Sequence, residues 1–397
     1  MSDVGIQNNF QNGVLICSGT GEYKNIGDYI QSLASEQFFE HIDCLVEREH
    51  LDSFKSEIPT KVIMNGWFMF NPQNWPPSKD IEPLFISFHI VPSVAEKMLT
   101  NEGIEYLKKY EPIGCRDLNT VKILKEKGIK AYFSGCLTLT LGKKYFQNQK
   151  DDSVIFVDPY YETIRNSFGK FSLSLILLNF FYGVFHLKMI KKLWNVLEYE
   201  KRCGRFEKYF NKLNQFLNCS SFYKTYSKNF EDEILFNAKY YTHSVKQSDF
   251  NSEKEKFEYA KFLLYEYAKA KYVVTSRIHC ALPCVGINTP VIFVTSENLE
   301  SQKNPIRSSN RFGGLINLFH VMKYEKKGLI AKSNIFENKK LNENFEFKNK
   351  DDYLVLKTSL EKVCNDFTEN RISSWGAKER ISFEQTQLKS IEEIYKY

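Results

Sequence analysis

Two chemically active side chains stand close together in the second half of the chain. Ser276, Arg277 and His279 follow the apolar run Tyr272–Thr275, which predicts a strand. Pro283 is tolerated in the first turn of a helix, so we expect a helix to begin just after these residues. Where a strand end meets a helix start, free backbone N–H groups and the helix dipole attract an anion. The spacing therefore predicts an anion site: Arg277 donates a fork of hydrogen bonds to phosphate or carboxylate, and His279 exchanges a proton with the same ligand.

An ordinary structural role is the alternative for each of these residues taken alone. Arg277 could pair with a neighbouring carboxylate, and His279 could be hydrogen-bonded in the core. Because both side chains follow one strand end, the binding site is the favoured interpretation.

A second arginine has a similar position in the first half of the chain. The segment Pro112-Ile-Gly-Cys-Arg-Asp117 places Arg116 at a strand-to-helix turn, and Asp117 is a suitable N-cap for a helix over 118–127. We expect Arg116 to face a cleft opposite Arg277. An ion pair with Asp117 or with another local carboxylate is the alternative.

The third candidate segment is Asn25-Ile-Gly-Asp-Tyr-Ile-Gln31, which follows the strand-like run 13–19. We expect Asp28 to cap the helix that begins there. No third glycine stands at position 24, so the dinucleotide fingerprint fails, and the chain has no GxxxxGK[ST], HExxH, GxSxG or DxD motif. Weaker candidates at or after strand ends are His89, His243 and Arg311, the last in the loop 307–314.

Short apolar, β-branched runs alternate with helical patterns along most of the chain. The strand candidates are 13–19, 61–70, 84–90, 112–116, 130–135, 153–158, 237–244, 271–276 and 289–295. This alternation predicts parallel sheets covered by helices. The polar stretch 143–152 separates two series. We therefore predict an α/β fold with two Rossmann-like domains facing across a cleft, over 1–148 and 149–335, followed by a C-terminal helical segment over 336–397.

The composition excludes several classes of protein. The 397 residues carry a net charge of +6, which is too small and too dispersed for a nucleic-acid-binding protein. The nine cysteines show neither CxxC pairs nor zinc-ligand spacing, so we predict reduced thiols and no metal site. The N-terminal residues lack the pattern of a signal peptide, which predicts a cytoplasmic protein.

The segment Phe171–Leu187 interrupts the pattern because it contains no formally charged residue. As a helix it would be roughly 26 Å long, short of the ~30 Å hydrocarbon core of a membrane. Lys188, Lys191 and Lys192 follow it. Three interpretations remain open: a buried helix of the second domain, an interfacial helix in peripheral contact with a membrane, and a true membrane span.

Four short segments, in their order along the chain, resemble the polysaccharide pyruvyltransferase family. They are Asn25–Asp28, Ile113–Asp117, Gly135–Thr140 and above all Val274–His279, and the similarity covers most of the chain. The resemblance implies a glycosyltransferase-B-like arrangement, phosphoenolpyruvate as co-substrate, and no metal or other cofactor. Its product is a pyruvate ketal on a sugar of a cell-surface glycan, as in exopolysaccharide or capsule biosynthesis.

The resemblance also implies roles for particular residues. Arg277 and His279 belong to the donor site, with Ser276, Ile278 and Arg116 as further expected contacts of phosphoenolpyruvate. That His279 is the catalytic acid or base, acting together with Arg277, is our hypothesis.

The acceptor is expected across the cleft, and its expected contacts are Asn25, Asp28, His89, His243 and Arg311. We expect a sugar linked to undecaprenyl diphosphate, which would place the enzyme at the inner leaflet of the cytoplasmic membrane. The alternatives are a glycosyltransferase that uses a nucleotide sugar and a non-catalytic glycan-binding protein of the same fold. The sequence does not indicate the oligomeric state.

Overall fold

The computed structural model describes residues 10–19, 21–162, 172–199, 212–296, 312–325, 328–336 and 340–369. These residues form parallel β-sheets covered by helices, which confirms the α/β fold class. Of the predicted C-terminal segment 336–397, the described part contains one long helix, and the residues from 370 onward lie outside it.

The first half of the chain builds two four-stranded parallel sheets that continue into each other. Their orders are β3-β1-β4-β6 and β5-β7-β8-β9. A main-chain hydrogen bond from Gly114 N in β8 to Phe85 O, which directly follows β6, joins them (3.0 Å). The strands are β1 (Gln11–Ile16), β2 (Tyr23–Asn25), β3 (Cys44–Glu47), β4 (Thr60–Ile63), β5 (Gly66–Phe68), β6 (Ile81–Leu84), β7 (Phe88–Ile90), β8 (Ile113–Cys115) and β9 (Ala131–Phe133).

The described residues of this half contain five α-helices. They are α1 (Ile26–Glu36), α2 (Ala95–Met98), α3 (Asn101–Lys109), α4 (Leu118–Glu126) and α5 (Gly142–Tyr145). Asp117 caps α4 as predicted, since its side chain accepts from Thr120 N.

The second half builds a six-stranded sheet of order β11-β10-β13-β14-β15-β16, parallel except for the final β15–β16 pair. Its central strands are rich in β-branched residues and fully buried, as expected when helices cover both faces. The strands are β10 (Val154–Val157), β11 (Lys239–Tyr241), β12 (Ser244–Lys246), β13 (Tyr272–Thr275), β14 (Val291–Ser296), β15 (His320–Glu325) and β16 (Gly328–Ala331). The helices are α6 (Leu173–Phe185), α7 (Leu187–Tyr199), α8 (Lys212–Tyr226), α9 (Asp232–Asn237), α10 (Glu253–Lys269), α11 (Ile278–Ile287) and α12 (Tyr353–Thr368).

Several contacts join the two halves. β2 pairs antiparallel with β12. The 3₁₀ turn Leu137–Thr140 lies so close to α11 that a Cβ added at Gly286 would be 2.3 Å from Leu139 O, which explains the glycine. α12 returns to the first half, where Lys61 Nζ donates to Phe367 O at the end of this helix (2.6 Å).

The described part of the apolar segment, 172–187, is not a buried helix, which corrects one of the three interpretations. Within α6 only Asn179 and Gly183 are buried, whereas Phe185 is 85% exposed. No single helix in the described ranges is long and apolar enough to span a membrane. Leu173–Phe185 and Leu187–Leu197 meet that requirement of length and composition only as a pair, bent by 102°.

Candidate active site

The amino-terminal end of α1 forms one wall of the site. Asn25 is the N-cap, with extended backbone and a side chain that accepts from Gly27 N (3.2 Å). This corrects the expectation that Asp28 caps the helix: α1 begins at Ile26, so Asp28 already lies in its first turn. Ile26 N donates to His243 O (2.8 Å), which ties the start of α1 to the second half.

The amino-terminal end of α11 forms the opposite wall. β13 ends at Thr275, Arg277 is the N-cap without a side-chain capping bond, and the helix begins at Ile278. Pro283 therefore lies inside the helix rather than in its first turn, which corrects our expectation. The Ser276 hydroxyl donates to Val294 O (2.5 Å) and accepts from Tyr160 N (2.7 Å), so it holds the framework together.

The two walls touch at Gly27 and His279. A Cβ added at Gly27 would be 3.1 Å from His279 Cβ and 3.2 Å from His279 Nδ1. The glycine thus lets the start of α1 approach the histidine closely. The segments Asn25–Asp28 and Val274–His279, far apart in the sequence, meet at this point.

Arg116 joins them from the end of β8. Its Nη1 donates to Gln31 Oε1 (3.3 Å) and lies 3.4 Å from His279 Nε2. Because a guanidinium can only donate, this contact suits a His279 ring whose Nε2 accepts, as in the neutral Nδ1–H tautomer. The structure therefore brings Arg116, His279 and the first turn of α1 into one cluster.

Arg116 is a buried cation that forms no ion pair with any described residue. It is 3% exposed, and burial lowers its pKa below the usual range. The alternative of a pair with Asp117 is wrong, because that carboxylate binds His89 Nδ1 (2.5 Å) and Thr120. A buried charge of this kind is costly without a counter-ion, so the cluster is suited to an anionic ligand.

The Arg277 guanidinium forms an ion pair with a carboxylate through one of its three nitrogen atoms. Its Nε donates to Asp158 Oδ2 (2.7 Å), and its side chain is 34% exposed. Within the described ranges its two terminal amino groups form no hydrogen bond. The Asp158 pair orients the guanidinium and leaves those two groups available to a ligand.

His243 and His89 lie in the core instead of on an open surface. The His243 ring is hydrogen-bonded to Tyr267 OH (2.9 Å). Burial, partly offset by Asp158, lowers its pKa from 6.5 to about 3. His89 is 2% exposed and pairs with Asp117. Of the other expected acceptor residues, Asn25 is exposed, Asp28 lies 3.6 Å from Arg48 Nη1, and Arg311 falls outside the described residues.

Sequence reasoning missed three residues that shape the site, although two carried a usable signal. Asp158 directly follows the predicted strand 153–158, where ligand-facing residues are expected. Gln31 lies four residues after Gly27 and thus on the same face of α1. Arg48 carried no such signal, because the short strand β3 before it was not predicted.

Metal ligands are not grouped in the part of the chain that the structure describes. No set of three or more His, Cys, Asp or Glu side chains is arranged there to hold an ion. A cavity of about 760 Å³ lies at the other end of α1, lined by Glu36, Gln37 and several lysines. It is roughly 15 Å along the helix from Gly27 and is separate from the cluster.

Comparison with known proteins gives one match. The model of the family described as polysaccharide pyruvyl transferase matches residues 25–298, a range that includes Asn25, Arg116 and His279. No curated protein and no solved structure matches significantly. Because the match spans more than half of the chain, the protein belongs to the polysaccharide pyruvyl transferase family and is a transferase enzyme of that activity.

Proposed function

We propose that the enzyme transfers pyruvate from phosphoenolpyruvate to a sugar of a cell-surface polysaccharide precursor and forms a pyruvate ketal. The observation that carries this proposal is the buried Arg116, which has no carboxylate partner among the described residues and contacts His279. Phosphoenolpyruvate is a compact trianion, and a site that binds it needs fixed positive charge.

The donor site would combine three sources of such charge. Arg116 lies at the base, the terminal amino groups of Arg277 are open, and the first turn of α11, with Ile278 and His279, offers backbone N–H groups near a helix dipole. Ser276 would contribute indirectly, because its hydroxyl is hydrogen-bonded to the backbone of Val294 and Tyr160 and holds the strand end in place. Preorganised donors of this kind also stabilise charge that develops during a reaction.

His279 is the proposed acid and base. A sugar hydroxyl adds to C2 of phosphoenolpyruvate while a proton is added at C3, which becomes a methyl group. Phosphate then leaves with the C2–O electron pair, a second hydroxyl attacks C2, and its proton is released. The neutral His279 ring beside Arg116 can accept the first hydroxyl proton, and a bound trianion would then favour the protonated ring that delivers it to C3.

The acceptor is proposed to approach from the first half of the chain. In this view residues 1–148 and 149–335 are two facing domains of the glycosyltransferase-B type, and the exposed Asn25 caps the helix whose Gly27 touches His279. Asp28, His89, His243 and Arg311 stay predictions, and the buried rings of His89 and His243 would act through the residues they hold. The proposed acceptor is linked to undecaprenyl diphosphate, at the inner leaflet of the cytoplasmic membrane, with no metal or other cofactor.

A thermal-shift titration tests the donor. Phosphoenolpyruvate at 100 times its Kd should add about 2.7 kcal/mol to the free energy of unfolding. Phosphate, pyruvate and UDP-sugars serve as comparison ligands. The variant Arg116→Gln, which keeps a hydrogen-bonding side chain without the charge, should lose the shift. A shift with a UDP-sugar and none with phosphoenolpyruvate would instead indicate a glycosyltransferase.

A further inference from the structure

Helix α6 presents apolar side chains to solvent and polar groups to the protein. Its inward side packs on α8 through Asn179 and Gly183, and Lys224 Nζ donates to Asn179 Oδ1 (2.7 Å). Its outward side carries large apolar residues, each at least 40% exposed: Leu173, Leu177, Leu178, Phe180, Phe181, Val184 and Phe185. Ser174 is the polar exception on that side. A helix that faces water shows the opposite distribution.

Helix α7 adds positive charge directly beside this apolar side. Ile190, Leu193 and Leu197 are its buried residues, whereas Lys188, Lys191 and Lys192 are exposed. The sequence from 172 to 197 contains no Asp or Glu. A largely apolar surface is therefore followed by three exposed lysines, of which Lys192 also lies over the Phe236 ring (4.3 Å).

We propose that α6 and the basic side of α7 bind the surface of an anionic lipid bilayer. A helix with an apolar face inserts by about 5–10 Å into the boundary between headgroups and acyl chains, and the lysines would contact anionic headgroups. The 102° bend between the two helices lets each use its own chemistry, with α6 in the apolar layer and α7 among the headgroups. A second copy of this chain is a less suitable occupant, because it would bring three further lysines to the same basic region.

The proposal rests on surface chemistry and not on the identity of the donor. Its consequence for catalysis does depend on the proposed function: a bilayer-bound enzyme would meet a lipid-linked acceptor in two dimensions. The test therefore measures lipid binding without any substrate, and its outcome does not depend on whether phosphoenolpyruvate is the donor.

Flotation of the full chain with phosphatidylcholine vesicles, with and without phosphatidylglycerol, is the experiment. We expect the wild type to float with the anionic vesicles. Phe181→Asp/Phe185→Asp should lower the partition coefficient by more than 10-fold, because it places charges in the apolar layer. The matched control is Phe146→Asp/Leu354→Asp, which changes two exposed apolar residues elsewhere (47% and 46% exposed) and should float like the wild type.

The charge is tested separately. Lys188→Gln/Lys191→Gln/Lys192→Gln should weaken binding to anionic vesicles by roughly 100-fold, since each lysine near an anionic surface contributes about fivefold. Binding to neutral vesicles should not change. Light scattering without lipid measures the mass of each variant. Wild-type protein that stays unbound, flotation that survives the double Asp substitution, or a wild-type dimer that this substitution separates would each overturn the proposal.

Discussion

At the scale of single residues, two buried arginines differ in how their charge is balanced. Arg48 lies beside Asp28 and Glu49, at 3.6 and 3.2 Å. Burial lowers its pKa, but these carboxylates more than compensate and the net effect raises it. The Arg116 side chain has only Gln31 and His279 as hydrogen-bonding partners in the described part of the chain, and burial lowers its pKa. Arg48 is balanced within the fold, whereas Arg116 is suited to a bound anion.

Replacing the imidazole that Arg116 contacts should affect turnover more than donor binding. His279→Gln is expected to lower kcat by ~10²–10⁴-fold because it removes the proton carrier. The Kd of phosphoenolpyruvate should change little, since the amide oxygen of the glutamine can still accept a hydrogen bond from Arg116. Phosphate release and calorimetric titration measure the two quantities. A variant with near wild-type turnover would exclude His279 from the chemistry.

The buried His243 should make the fold sensitive to acid. Its pKa is lowered from 6.5 to about 3, first by burial, so the unfolded chain binds a proton that the folded chain does not. This contribution to stability is complete above pH 6.5 and decreases as the pH falls toward 3, by about 1.4 kcal/mol per pH unit. Urea unfolding over this range should show a smaller pH slope for His243→Gln than for the wild type. The same substitution at the exposed His50 should leave the slope as it is, and an equal loss of slope in both variants would contradict the assignment.

At the scale of elements, glycines set how closely the walls of the site approach. Gly27 admits the His279 ring, and Gly286 admits the Leu139 carbonyl. The Gly135–Thr140 motif is thereby explained as a packing element that docks on α11, and Thr138 and Thr140 are fully buried. The position of His279 depends on both contacts.

Gly27→Ala should separate activity from stability. The new methyl group would lie 3.1 Å from His279 Cβ, so the ring must move by a few tenths of an ångström. We expect kcat to fall about 10-fold, because small misplacements of catalytic groups are costly. Stability should be unchanged or higher, because alanine favours a helix by about 1 kcal/mol over glycine. In the control Gly21→Ala the nearest contact is an ordinary 3.6 Å; equal activity of the two variants would show that the ring tolerates the shift.

Strands with long apolar runs could be predicted from the sequence, whereas short strands with polar residues could not. All nine proposed strand segments contain a strand, because buried parallel strands are apolar throughout. β2, β3, β15 and β16 were missed, and so was most of β12, since polar residues alternate through these strands or end them early. The sequence could predict that Arg116 and His279 each follow the end of a strand and face the same cleft. The contact with Gly27 was not, because it depends on how the two halves pack.

At the scale of the whole molecule, α12 connects the end of the described chain to its beginning. Asn349 lies just before the helix. Its side chain donates a hydrogen bond to Thr289 O and accepts one from Val291 N, both in the second half. Leu356 then lies against Gly135, and Phe367 O accepts from Lys61. The helix therefore crosses from one half to the other and holds both.

Leu356→Asp should destabilise the first half although the residue lies far along the chain. The side chain is fully buried, and an unpaired charge there should cost more than ~3 kcal/mol. Hydrogen exchange should show the loss in β1 and β4 as well as in α12. Leu354→Asp, on the exposed side of the same helix, is the control. Equal protection of β1 and β4 in both variants would mean that α12 does not stabilise the first half.

The first half is packed against α12, yet the ribosome makes the first half long before it makes α12. β1 to β9 leave the ribosome well before residues 353–368, so the partners of Lys61 and Gly135 are not yet translated when the first sheet emerges. Until α12 is made, the apolar surface of the first half that this helix covers stays exposed, and chaperones bind exposed apolar surface. A chain stalled before residue 353 is expected to remain bound to them, and the newly made enzyme becomes competent only after residues 353–368 have been translated.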